Sequence, residues 1–259
     1  VTDFPLTDIV SPLVADPRFP LAVAISILAG AVRGFSGFGS ALIYIPLMSA
    51  VYGPQIAVVT FVVIDLALGT LFVPRLWRNA DFRQIVPLAA AAILAAQFGT
   101  LILLYMDPSA LRWAISILVA LVVLVLASGW RYYGRPRLPV TLAVGALSGF
   151  IGGAVQISGP PIIVYWLGSG SAATIVRANF IVYFTIFSAA AVVTYALRGL
   201  LPPHSLVLAA LIGPLQIASM ALGGRLFDLA SEKTYRRVAY AIVAASAIAA
   251  LPIWDSLLR

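Results

Sequence analysis

The chain alternates long apolar runs with short polar breaks. Six runs, 55–74, 84–105, 109–130, 172–197, 204–226 and 235–254, are long enough to cross a bilayer, which takes ~20 mostly apolar residues. Four others, 20–33, 39–52, 138–151 and 159–168, are shorter and come as two adjacent pairs. A helix of ~14 residues is ~21 Å long, short of the ~30 Å hydrocarbon core. Each pair is therefore expected to form a hairpin of short or broken helices that returns the chain to the side it came from. The break inside the first pair is Gly34-Phe35-Ser36-Gly37-Phe38-Gly39-Ser40, and that inside the second runs from Gly152 to Pro161 through Gln156, Ser158 and Gly159.

Composition narrows the class. The chain is 62% hydrophobic and 10% charged, with a mean hydropathy of +1.06. Soluble domains carry about 25% charged residues, so this chain has too few to cover a water-facing surface. A soluble globular enzyme and a disordered chain are both excluded. The expected fold class is an all-α polytopic membrane protein, with residues 1–259 forming one transmembrane domain. There is no cysteine and one histidine, His204, so no thiolate or histidine-rich metal site and no cofactor is expected. Walker A, HExxH and paired-aspartate motifs are absent, and His204 at a span end cannot activate a serine inside the membrane. No enzymatic role follows from these residues.

The net charge is +7, from fifteen Arg and one Lys against nine acids. Counting each hairpin as zero crossings puts three loops on one side: Arg75, Arg78 and Arg83; Arg131, Arg135 and Arg137; Arg225, Lys233, Arg236 and Arg237. The opposite side receives Arg18, Arg112, Arg198 and Arg259. The positive-inside rule places the first group in the cytoplasm and both termini outside. Basic residues at span ends are anchors, and with no basic stripe elsewhere nucleic acid is not a partner. The segment Val1–Pro20 carries Asp3, Asp8 and Asp16 instead of a basic n-region. The first apolar run is thus expected to remain in the mature protein. Trp77, Trp130 and Trp254 lie at span ends, as interfacial anchors do.

The two hairpins resemble each other. Ala29-Gly30-Ala31-Val32-Arg33-Gly34 matches Ser148-Gly149-Phe150-Ile151-Gly152-Gly153, and Ser40 onward aligns with Gly159 onward. Near the end of each half a glycine, Gly99 or Gly224, precedes an arginine, Arg112 or Arg237. The chain reads as two repeats, 19–130 and 138–254. Three crossings per repeat invert the second copy, and inverted repeats with broken helices mark secondary transporters. Small residues spaced by four, Ala91/Ala95/Gly99 and Ala241/Ala245/Ala249, are expected to be packing faces.

Irregular backbone at membrane depth is tolerated only where protein buries it or a wet cavity adjoins it. Helix N-termini at such breaks bind anions. Gly37, Gly39, Ser36 and Ser40 in the first break, and Gln156, Ser158 and Gly159 in the second, are therefore candidate substrate contacts. The alternative is a tight packing turn with self-satisfied serines. Arg33, Asp65 and Arg177 lie in or beside apolar runs, where a charge costs at least ~2.5–3.5 kcal/mol. Arg33 and Arg177 are candidate anion contacts, and each is alternatively a snorkelling anchor. Asn179 and Tyr183 extend a polar stripe from Arg177 and are candidate substrate contacts with it. Asp65 is either a coupling carboxylate or the ion-pair partner of an intramembrane arginine. Gln97 and Gln216 are gating candidates or helix bridges.

Gly34 to Ser40 followed by Ile45-Pro46-Leu47 resembles the first signature of the TauE/SafE family of sulfite and sulfonate exporters. Gly149 to Gly153, Gly159-Pro160-Pro161 and Arg177-Ala178-Asn179 resemble the second. The likeness covers almost the whole chain. It implies an inner-membrane permease for small sulfur-containing anions such as sulfite, sulfoacetate or other organosulfonates. The paired hairpins themselves suggest alternating access, with the anion held between the two breaks and the two repeats rocking about it. An inside-negative potential favours anion exit by ~2.3 kcal/mol per charge per 100 mV. A passive anion channel, and a cation- or proton-linked transporter centred on Asp65, are the competing readings. A homodimer is left open.

Overall fold

The computed structural model describes residues 6–36, 39–128, 137–167, 170–227 and 232–253. Every regular element among them is helical: α1 (Leu6–Ala15), α2 (Phe19–Ser36), α3 (Ser40–Tyr52), α4 (Pro54–Leu76), α5 (Phe82–Tyr105), α6 (Pro108–Ala127), α7 (Leu138–Val155), α8 (Gly159–Leu167), α9 (Ala173–Leu197), α10 (Pro203–Phe227) and α11 (Glu232–Ala249), with a 3-10 turn at Trp77–Asn79. Six stretches of the described residues are long and apolar enough to cross a membrane: Pro54–Asn79, Phe82–Tyr105, Pro108–Ala127, Leu138–Val155, Thr174–Leu197 and Pro203–Gly223. α1 and α2, bent by 84° at their junction, make a seventh if they count as one span. The chain is an all-α, multi-pass membrane protein.

The first arm of each hairpin is longer than its apolar run. α2 and α7 have 18 residues each; α7 is long and apolar enough to cross by itself, which corrects the reading of 138–151 as too short, whereas α2 reaches span length only together with α1. Gly34, Gly152 and Gly153 continue these helices instead of breaking them. They are glycine because another helix lies against them. A Cβ on Gly30 would strike the carbonyl of Gln216, one on Gly34 that of Met220, and one on Gly223 that of Ala31. Across α5–α7, a Cβ on Gly149 would strike Ala92, one on Gly153 Ala96, and one on Gly99 Phe150. The two sets correspond. Positions 30, 31 and 34 match 149, 150 and 153 at an offset of 119, while 92, 96 and 99 match 216, 220 and 223 at an offset of 124. Exchanging the halves turns the α2–α10 interface into the α7–α5 interface. The glycine equivalent to Gly99 in this packing is Gly223, one residue before the Gly224 that the arginine spacing singles out.

α2, α3, α4 and α10 pack into one body, and α5, α7, α8 and α9 into another, with α4 against α9 between them. α6 and α11 pack on each other and on α3. The expected small-residue faces are turned. In α5 the buried face is Leu88, Ala92, Ala96 and Gly99, with Ala91 and Ala95 only half-buried. In α11 the buried positions include Val243, Ser246 and Ala247, while Ala241, Ala245 and Ala249 are exposed. Both faces of a membrane helix are apolar, so spacing alone does not tell the packed face from the lipid face. Trp77 is half-exposed at the end of α4 and lies against Phe82, their ring centroids 4.5 Å apart. Trp130 and Trp254 lie outside the described residues.

Gly149→Val is expected to force α5 from α7 and cost ~1–3 kcal/mol, read as a lower unfolding temperature in detergent. Gly159→Ala, whose added Cβ meets nothing nearer than 3.5 Å, should leave that temperature unchanged.

Candidate functional site

The two hairpin breaks meet at one small cavity between the two helix bodies, with a few polar groups set into largely apolar walls. Arg33, Gly39, Ser40 and Asp65 line it from the first body, and Gln156, Ser158, Gly159 and Ser188 from the second, with Phe61, Ile163 and Phe184 as apolar walls. About 50 Å³ is open to the centre of a water-sized sphere, room for roughly three to five waters.

Each break has a left-handed residue beside it. Gly39, with φ 96°, immediately precedes α3 and takes a left-handed conformation that glycine adopts without strain. Gln156, with φ 56°, ends α7 and is the one non-glycine residue at positive φ among the described residues. That conformation costs ~1–2 kcal/mol and is held by hydrogen bonds. The Gln156 backbone N–H donates to Gly152 O at 2.9 Å. Its Nε2 donates to the Tyr195 hydroxyl at 3.1 Å, which in turn donates to Gly153 O at 3.2 Å. Ser148 Oγ donates to Ser158 O at 2.6 Å, and the Ser148 and Tyr183 hydroxyls share a hydrogen bond of 3.2 Å. Side chains of α7 and α9 thereby fix where α8 begins.

The charged wall belongs to the first half alone. Arg33 Nη1 ion-pairs with Asp65 Oδ1 and donates to Ser40 Oγ at 3.3 Å. Ser188 Oγ, from α9, donates to Asp65 Oδ2 at 2.7 Å. The side chains of Arg33 and Asp65 are 11% and 8% exposed, so each charge is compensated inside the protein as its burial demands. The ion pair that is one of the two readings of Asp65 is present in this geometry. At the 119-residue offset that relates α2 to α7, Gly152 stands opposite Arg33, and the lining residues from the second body carry no charge. The cavity is thus cationic and anionic on one wall and neutral on the other.

Other candidate residues lie elsewhere. Arg177 is on the exposed face of α9, outside the cavity. Buried Asn179 accepts a 2.8 Å hydrogen bond from the Asp81 backbone N–H and so ties α9 to the start of α5. Tyr183 supports the wall through Ser148 and packs against Trp166 and Phe187. Gln97 bridges α5 and α9, donating to Thr194 Oγ1 at 3.0 Å and accepting from Arg198 at 3.3 Å, beside a smaller cavity that Phe187 also lines. Gln216 is buried at the α2–α10 contact. Gly37 lies outside the described residues, and of Ser36 only the helical backbone is described. Ser188 and Tyr195 were not legible as site residues: a lone serine or tyrosine in an apolar span carries no signal until the fold supplies its partner. A larger cavity, about 330 Å³ by the same measure, lies among α6, α7 and α8. Its lining is hydrocarbon apart from Tyr165, whose hydroxyl is already bonded to Thr141, so it offers an anion no ready donor.

The family model for the sulfite exporter TauE/SafE matches residues 22–250. A protein of Cupriavidus necator described as a probable sulfite/organosulfonate exporter TauE is 26% identical over 222 residues, covering 80% of this chain and 84% of its own length. No solved structure matches.

Proposed function

Since the chain belongs to the sulfite exporter TauE/SafE family, we propose that it exports sulfite or a small organosulfonate across the bacterial inner membrane, holding the anion in the cavity between the two breaks. The observation that carries this reading is the convergence of Arg33, Ser40, Gln156 and Ser158 on one buried space with the N-termini of α3 and α8. A sulfite or sulfonate group has three acceptor oxygens. Guanidinium, hydroxyl and amide donors match them without a metal. Pro160 and Pro161 remove two amides from the first turn of α8, so that helix contributes the Gly159 amide and the side chains before it.

The cavity sits at the junction of two bodies, which supports alternating access. Backbone-close glycine contacts lock α2 to α10 and α5 to α7 across the halves. The rocking units are therefore α2–α3–α4–α10 and α5–α7–α8–α9, turning about the α4–α9 contact, and not the two repeats as consecutive blocks. In the membrane the basic loops beginning at Arg75 and at Arg131 face the cytoplasm.

A thermal-shift screen of the purified chain against sulfite, sulfate, methanesulfonate, sulfoacetate and carboxylates tests the substrate class. A ligand at 100 times its Kd adds ~2.7 kcal/mol to stability. Sulfite and the sulfonates are expected to raise the unfolding temperature and the carboxylates to leave it. Stabilisation by carboxylates alone, or by none of these anions, contradicts the reading.

A further inference from the structure

We propose that Asp65 is a built-in competitor for the transported anion, and that the anion binds only together with a proton taken up by Asp65. The proposal rests on the anion-site reading above and adds its coupling. Arg33 is the one cationic side chain among the residues lining the cavity, and Asp65 already occupies it. No other charged group among the lining residues shares the space. From α3, Ser40 lies within hydrogen-bond reach of Arg33, and the Tyr44 hydroxyl bonds to Thr60, five residues before Asp65. From α9, Ser188 donates to the carboxylate. Neither α6 nor α10 contributes a lining residue.

With the ion pair formed the cavity is neutral. An anion entering beside it would bring the site to a net charge of −1 in a place mostly screened from water, which is costly. Protonation of Asp65 removes that cost. The carboxylate accepts one proton and becomes a neutral acid, the anion takes its place on Arg33, and the cavity is neutral again. One proton thus accompanies each monovalent anion, and the loaded carrier crosses without net charge. Export then runs on the combined gradients of anion and proton, and the membrane potential does not drive the loaded step. The Ser188–Asp65 hydrogen bond also spans the α4–α9 contact, so the same protonation alters a link between the two rocking bodies.

The test is titration of the full chain in detergent with methanesulfonate, an anion that stays ionised throughout, between pH 5.5 and 8. In the natural sequence the affinity should fall with rising pH, by up to tenfold per unit. Calorimetry in buffers of different ionisation heat should show uptake of about one proton per anion. In Asp65→Asn the affinity should be independent of pH and at least tenfold tighter at pH 8. Asp65→Glu keeps a carboxyl group and should keep both the falling affinity and the proton uptake. This variant and the proton count decide the matter even if Asp65→Asn does not fold. A flat pH profile in the natural sequence, no proton uptake, or an undiminished slope in Asp65→Asn overturns the coupling while leaving the anion site standing. Failure of methanesulfonate, sulfoacetate and sulfite all to bind at pH 5.5 overturns the site itself and the coupling with it.

Discussion

Arg33→Ala is expected to lower anion affinity on the order of 100-fold or more. Hydrogen bonds to charged groups contribute ~1.5–3 kcal/mol each, and Arg33 is the one cation lining the cavity. The substitution also strands Asp65, 6% exposed, beside Ser188 with no cation. Breaking a buried pair by deleting one partner costs ~3–5 kcal/mol, so the unfolding temperature should fall as well. The double variant Arg33→Ala/Asp65→Ala separates the two effects. Its stability should recover, because no buried charge is left alone, while its affinity should stay lost. Arg177→Ala supplies the contrast. Arg177 is an intramembrane arginine by sequence but lies on the exposed face of α9, so its removal should change affinity by no more than a small factor. Equilibrium titration with methanesulfonate and thermal unfolding on the same preparations read all three.

The second large effect is expected at Gly39. Its φ of 96° lies where only glycine is at ease, and it immediately precedes the first turn of α3. Valine there faces a left-handed penalty of ~1–2 kcal/mol and overpacks a wall of the cavity at ~1–3 kcal/mol. If these costs are met by displacing the start of α3, Ser40 leaves Arg33 and the first-turn amides turn away. Transport in proteoliposomes should fall roughly 30-fold or more. Gly39→Asn keeps a residue that tolerates the left-handed region and should retain more of the transport than Gly39→Val. Equal activity of the valine variant and the natural sequence would show that the position of this break does not matter.

The sites of the two breaks were legible because glycine and polar residues stand out at membrane depth. Ser40, Gln156, Ser158 and Gly159 do come together in the fold. What misled was glycine itself. Gly34, Gly152 and Gly153 read as breakers, yet they are the points where α10, Phe187 and α5 approach a continuous helix. One letter serves both purposes, and only the partner surface distinguishes them. The cost of burying Arg33 and Asp65 was visible residue by residue. Their pairing was not, since 32 positions separate them and Arg177 was an equally good partner on paper. Ser188 was hidden because a hydroxyl in an apolar span bonds to its own helix as readily as to a neighbour. The likeness of the two hairpins is visible in the residues, but the interlocking of α2 with α10 and of α5 with α7 belongs to tertiary packing.

The absence of native cysteine allows the central claim, that both breaks hold one anion, to be tested directly. Single Ser40→Cys and Ser158→Cys variants can be modified with N-ethylmaleimide, a neutral reagent, in the presence of increasing methanesulfonate. Arg177→Cys serves as the exposed control. The anion should slow modification at both cavity positions with the same half-maximal concentration and leave the control unaffected. Protection at only one of the two breaks, or at neither while the anion demonstrably binds, would contradict it.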